Sequence, residues 1–220
     1  MSTETDIRAT LPASLRLYAV TERSGLPEGV DLGRAVEEAI LGGATFIQLR
    51  EVDATHDEKV ALARELQDIC EEHGVPFVVN DDVEVARIVG ADGVHVGQGD
   101  MPVPRVREIL GPDAIVGVSA QSVAQGLLAQ EQGADYLGIG PLLFTNTKPD
   151  AELVPVEKLI AMCDAVDLPA VGIGGMNAST IADFAHTGVD GFAVVSAIFS
   201  APDARGAARQ LRERIDGLLG

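Results

Sequence analysis

Two short phrases concentrate the chemistry of this chain. Residues 79–82 read Val-Asn-Asp-Asp, so that Asn80 and Asp81 close an apolar run, and Asp100 stands just beyond a second run at 93–97. A pair of carboxylates is what a protein commonly offers Mg2+ when substrate phosphates complete the octahedral shell. Aspartate is also the residue type that caps helices, and helices beginning near Val83 and Pro102 would use Asp81 or Asp82 and Asp100 in that way. Because Asp81 and Asp82 are adjacent, one can cap while the other binds.

Further polar residues finish other apolar runs. In "FIQLRE" (46–51), Gln48 and Arg50 share one side of an extended segment, because side chains alternate with period two. A planar guanidinium suits a pyrophosphate, or a salt bridge to Glu51 or Asp81. His95 shares a side with Gly93 and Gly97, where a satisfied histidine at the core edge and a catalytic one are both open. Ser119 ends another run. "FTNTK" (144–148) supplies Thr145, Thr147 and Lys148, two hydroxyls for one phosphate and a point charge for another, or simply a solvated turn ahead of Pro149. "VGIGGMNAST" (171–180) places Gly174 and Gly175 before an expected helix, and Val195-Ser196 opens another. That is how barrels bind phosphate after their last two strands, although tight packing also calls for glycine.

These ends become neighbours only if the runs lie side by side. Eight apolar runs occur, at 15–20, 46–50, 76–80, 93–97, 115–119, 136–140, 169–174 and 191–196, separated by amphipathic stretches such as 31–43 and 55–74. That alternation predicts a single parallel, closed eight-stranded (β/α)8 TIM barrel, with all carboxyl ends on one face. A doubly wound open sheet would instead need an edge and a switch point. A phrase of the form Gly-Ala-Asp or Gly-Ala-Thr precedes several runs (43–45, 90–92, 133–135, with Gly-Val-Asp at 188–190), a weak internal repeat. Residues 1–14 read as a polar extension, residues 15–220 as one barrel domain, and 140–155 as a long connection suited to a lid.

Composition narrows the partners. The 220 residues carry 16 basic and 34 acidic side chains, a formal charge of −18, which argues against nucleic acid as a ligand. Only three lysines occur, Lys59, Lys148 and Lys158, and so acidic and Lys-poor a surface fits a protein kept soluble in high salt. No apolar stretch reaches the ~20 residues of a membrane span, and the first residues lack a signal pattern, so a cytoplasmic protein is expected. Cys70 and Cys163 read as idle thiols. A homo-oligomer is compatible with all of this.

In order and spacing, "LYAVTER", "GGATFIQLRE", "VNDDVEVA", "ADGVHVGQGD", "GVSAQS", "GADYLGIGPLLFTNTK", "AVGIGG" and "DGFAVVSAI" resemble the thiamine phosphate synthase family from about Leu17 to the end of the barrel. The resemblance implies an enzyme that joins a hydroxymethylpyrimidine diphosphate to a hydroxyethylthiazole phosphate with Mg2+, through a pyrimidine cation, with loss of pyrophosphate. By that pattern Gln48, Arg50, Asn80, Ser119 and Lys148 hold the pyrimidine diphosphate, and Arg50, Ser119 and Lys148 act in catalysis; His95 is counted among the substrate-binding residues. Asp81 and Asp100 ligate the metal, while Thr145, Thr147, Gly175, Val195 and Ser196 hold the thiazole phosphate. Two departures stand out: Val52 where the family usually has lysine, and Gln121 where it usually has histidine. A thiazole tautomerase-like relative and a non-catalytic phosphate binder on the same barrel are the alternatives.

Overall fold

The computed structural model describes residues 7–145 and 152–220. Eight strands, β1 (Leu17–Val20), β2 (Phe46–Leu49), β3 (Phe77–Asn80), β4 (Gly93–Val96), β5 (Ile115–Ala120), β6 (Tyr136–Ile139), β7 (Ala170–Ile173) and β8 (Gly191–Val194), form a closed barrel in sequence order. Every pairing is parallel, including β8 back onto β1. The expected barrel is therefore the observed one. The strands are short, apolar and almost wholly buried because a parallel barrel covers both their faces.

Around it run α1 (Ile7–Ser14), α2 (Leu32–Leu41), α3 (His56–His73), α4 (Val83–Val89), α5 (Val103–Leu110), α6 (Val123–Glu131), α7 (Val156–Ala165), α8 (Ser196–Phe199) and α9 (Ala204–Leu219). Their starts were written in the sequence. Asp31 accepts from Arg34 N–H, and Thr55 forms a capping box with Glu58. One expected helix is absent: after β7 the chain makes two 3-10 turns, Ile181–Asp183 and Ala185–Thr187. Asn177 Oδ1 accepts the Ser179 N–H, and Thr180 Oγ1 accepts from Asn177 N and donates to Gly175 O. Local side-chain bonds of this kind offer the backbone an alternative to the helix.

Two apolar layers result. The outer layer packs helices on the sheet, and the inner one fills the lumen with Leu11, Leu15, Tyr18, Val20, Phe46, Val78, Ile115, Tyr136, Val171 and Ala193. Leu11, from α1, is 1% exposed, so part of the polar extension closes the barrel floor. Cys70 is buried and its thiol is pushed up to about 12, by burial first and by nearby Asp92 second; burial likewise raises Cys163 to about 11. Neither thiol is primed as a nucleophile. Among the described residues no helix is long and apolar enough to cross a membrane.

The recurrent Gly-Ala-Asp phrase has a structural meaning. Its polar residue stands just before each even-numbered strand and accepts the first N–H of the odd strand beside it, or the next one in β5. Thr45 Oγ1 takes Leu17 N, Asp92 takes Phe77 N, Asp135 takes Val116 N and Asp190 takes Ala170 N, at 2.7–3.0 Å. These four bonds tie the floor of the barrel. Asp135 also holds Arg107 at 2.7 Å, with both side chains largely buried. Asp135→Ala is therefore expected to cost about 3 kcal/mol, since it leaves a buried N–H without its acceptor and a largely buried guanidinium without its counter-charge. Thermal denaturation would show a fall of roughly 6–12 °C; a shift under about 2 °C would mean that Arg107 is held well enough by its carbonyls alone.

Candidate active site at the carboxyl ends of the strands

Each described candidate residue lies at, or just beyond, the carboxyl end of its strand, over the seven consecutive strands β2 to β8. Thr147 and Lys148 lie outside the described residues.

On β3 the two aspartates divide their work. Asp82 caps α4, its Oδ1 accepting from Val85 N at 3.1 Å. Asp81 does not cap; it adopts φ = 60°, the single non-glycine residue with positive φ among those described. An aspartate tolerates the left-handed region better than most residues, at some cost in strain. Its N–H donates to His95 O at 2.9 Å across the β3–β4 junction, and its Oδ2 accepts from Asn80 Nδ2 at 2.5 Å. Asp100 does not cap a helix either: α5 begins after Pro102, and Asp100 Oδ2 turns back to accept from Gly97 N at 2.8 Å. Both carboxylates are exposed and sit beyond the ends of adjacent strands.

Among the described residues no group of three or more His, Cys, Asp or Glu comes together. A pair of exposed carboxylates without sulfur or imidazole beside it suits a hard cation that draws its other ligands from substrate and water. The donor chemistry therefore fits Mg2+.

Arg50 is half-buried one residue past β2, where the fully buried Thr21 bonds its backbone N–H and carbonyl. The salt bridges considered for it are not the ones formed: Glu51 pairs with Arg23 at 3.6 Å. Burial raises the Glu51 carboxyl above its ordinary value, and the Arg23 N–H together with the charges of Arg23 and Arg50 pulls it back. Arg50, Glu51, Val52, Asn80 and Asp81 line one cavity of about 420 Å³.

Inside the barrel mouth runs a polar chain that the sequence reading missed in part. Gln48 Nε2 donates to Tyr18 Oη at 2.5 Å, Tyr18 and Tyr136 hydroxyls meet at 2.7 Å, Tyr136 Oη lies 3.0 Å from His95 Nδ1, and His95 Nε2 lies 2.9 Å from Ser119 Oγ. With Gln48 donating, the sense in which each member both gives and receives a bond runs from Tyr18 to Tyr136, from Tyr136 to Nδ1, and from a proton on His95 Nε2 to Ser119. The Ser119 hydroxyl proton then remains available toward the mouth. Burial pushes both tyrosines above their ordinary range, so they stay protonated donors. Gly117 is required here, because a Cβ would collide with the Tyr136 ring. The missed signal was available: these are the only two tyrosines of the chain, and each occupies a lumen-facing position.

On the far side, Leu143 N donates to Gly174 O at 3.1 Å, and a Cβ on Gly175 (φ 70°) would lie 2.6 Å from Leu143 Cβ. Glycine at 175 thus has a packing reason, the close seating of the loop after β6. That seating leaves Thr145 one residue from Phe144, whose carbonyl faces the same glycine. Val195 and Ser196 follow on β8, with Val195 preceding α8. Gln121 donates from Nε2 to Gly140 O and Glu152 O, at 3.2 and 3.3 Å, and so joins the two ends of the 140–155 connection.

A closed (β/α)8 barrel with carboxylates, a guanidinium, hydroxyls and glycine turns gathered at its carboxyl-end mouth defines the class of barrels built for small anionic ligands. The family model for thiamine monophosphate synthase matches residues 17–198. The chain belongs to that family. It is 48% identical to thiamine-phosphate synthase of Chloroflexus aurantiacus over 198 residues, covering 90% of this chain and 91% of that protein. With the Clostridium tetani thiamine-phosphate synthase the identity is 43% over 195 residues, 89% of this chain and 93% of that one. Among solved structures, thiamine phosphate pyrophosphorylase from Pyrococcus furiosus superposes with a TM-score of 0.87 at 39% identity, covering 96% of this chain and all of that one.

Proposed function

We propose that this protein is a thiamine phosphate synthase, which joins a hydroxymethylpyrimidine diphosphate to a hydroxyethylthiazole phosphate and releases pyrophosphate. Relatives of that name, matched over nearly their whole length, support the reaction. From the geometry, one observation carries the reading: Asp82 takes the capping duty, which leaves Asp81 outside the helix at the strand end, beside Arg50 in the same cavity.

Asp81 and Asp100 would hold Mg2+, which when bound neutralises diphosphate charge. In the reaction the bond from the pyrimidine methylene carbon to the diphosphate oxygen breaks, both electrons leaving with the oxygen. The thiazole nitrogen then supplies its lone pair to that carbon. No covalent nucleophile is needed; the protein aligns the partners and stabilises the departing charge. Arg50 and Lys148 offer cations to the diphosphate, and Asn80 and Ser119 offer hydrogen bonds. Gln48 and His95 belong to the pyrimidine side, and Thr145, Thr147, Gly175, Val195 and Ser196 to the thiazole phosphate. The apolar lumen beneath excludes water that would otherwise capture the cation.

The tautomerase-like alternative needs an acid-base histidine near position 121. Gln121 there spends its amide on two loop carbonyls, which favours the synthase. The test is to incubate the protein with both phosphorylated halves and Mg2+. Pyrophosphate release that stops on chelation and returns with Mg2+ supports the synthase. Isomerisation of a thiazole phosphate carboxylate, or binding without turnover, would refute it in favour of the tautomerase or the phosphate binder.

A further inference from the structure

We propose that Lys59 is a further diphosphate-binding cation of this site, in addition to Arg50 and Lys148, supplied from the first turn of α3; this assignment rests on the synthase reading. Two cationic side chains line the 420 Å³ cavity among the described residues, Arg50 and Lys59, against the carboxylates of Glu51, Asp81, Asp82 and Glu84. Most of those acids are engaged elsewhere. Glu51 pairs with Arg23, Glu84 with Arg87 at 2.6 Å, and Asp82 Oδ1 caps α4.

Lys59 itself is loosely held. Its Nζ lies 3.8 Å from Asp82 Oδ2, beyond hydrogen-bond distance, and it makes no side-chain hydrogen bond among the described residues. An ion pair this long and part-exposed contributes little to stability. Yet the side chain is only 26% exposed and borders the same space as Arg50, Asn80 and Asp81. A three-donor point charge on a flexible stem, set beside a guanidinium and a candidate metal carboxylate, is the arrangement that meets a diphosphate oxygen. The neighbouring rim position, Val52, is 68% exposed and apolar, and gives the ligand no charge. In a chain with a formal charge of −18, one of only three lysines borders this cavity.

The merely structural role would be a strap between α3 and α4, and it makes a different forecast. Binding of inorganic pyrophosphate in the presence of Mg2+, measured by calorimetry, is expected to weaken about tenfold in Lys59→Gln, the effect of losing one charge-assisted hydrogen bond. In turnover, KM for the pyrimidine diphosphate should rise by a similar factor while KM for the thiazole phosphate and the melting temperature stay within error. Lys59→Arg should retain most of the affinity, and Val52→Lys added to Lys59→Gln should restore it from the other rim of the cavity. Unchanged pyrophosphate binding in Lys59→Gln, or equal rises in both KM values with a lowered melting temperature, would overturn the assignment. An unsubstituted protein that releases no pyrophosphate would instead refute the synthase reading, so the two failures are distinguishable.

Discussion

Asp81→Gly is expected to abolish pyrophosphate release, by roughly three orders of magnitude, while leaving the protein at least as stable as before. The two effects have separate causes. Activity falls because one of two candidate metal carboxylates is removed, and the remaining Asp100 is a thin site by itself. Stability holds or rises because residue 81 sits at φ = 60°, which glycine adopts freely and an aspartate adopts with strain. Relief of about 1–2 kcal/mol of left-handed strain, less the roughly 0.4–1 kcal/mol that glycine's extra unfolded-state freedom costs, leaves a net gain of up to about 1 kcal/mol. Asp81→Asn gives the complementary variant, keeping a residue suited to the left-handed region while removing the charge. Turnover against Mg2+ concentration, with melting temperatures of the same samples, separates the possibilities. A stable Asp81→Gly protein with near-normal turnover would remove the metal assignment; a Gly variant that melts earlier would show that the Asn80–Asp81 contact, not strain, governs this turn.

The barrel was legible because each strand of a closed parallel sheet is buried on both faces and so appears as a brief apolar run with no competing pattern. Helix starts such as Asp31 and Thr55 were legible for a local reason, since the capping side chain and the N–H that donates to it are three residues apart. The carboxyl-end polar residues were legible as a set once the runs were aligned. What failed depended on choices between near neighbours or on contacts across the barrel. Whether Asp81 or Asp82 caps is decided by one backbone angle, and Asp100 reads as a cap until its bond to Gly97 is seen. The helix expected after β7 was lost to hydrogen bonds among Asn177, Ser179 and Thr180, residues whose short side chains pull the chain into turns. The connections of the tyrosine relay were not legible, although its two tyrosines were, because its members come from β1, β2, β4, β5 and β6 and nothing in one strand announces the hydroxyl opposite it.

That relay makes the second large prediction. His95→Ala is expected to lower kcat about a hundredfold, the scale of losing one aligned donor to a departing charge because Ser119 is no longer oriented, and Tyr136→Phe about tenfold, with Tyr18→Phe smaller still. The gradient follows from direction. With Gln48 as the first donor, each hydroxyl orients the next, and only the last member, His95 Nε2–H, acts on Ser119. Losing His95 frees the Ser119 hydroxyl to turn in either sense, whereas losing Tyr136 leaves His95 in place with Nδ1 unsatisfied and its tautomer no longer enforced. Stability should follow another order. Tyr136→Phe strands the Tyr18 proton and His95 Nδ1 in a fully buried lumen, and about 2 kcal/mol is the scale for such unsatisfied groups. His95→Ala adds a cavity to its lost bonds, for about 3 kcal/mol. Nitrogen-15 shifts of the His95 ring read the tautomer directly: protonated at Nε2 in the unsubstituted protein, mixed in Tyr136→Phe. A ring protonated at Nδ1 in the unsubstituted protein, or a Tyr18→Phe variant as slow as His95→Ala, would reverse the direction of the chain and make Ser119 the donor to His95.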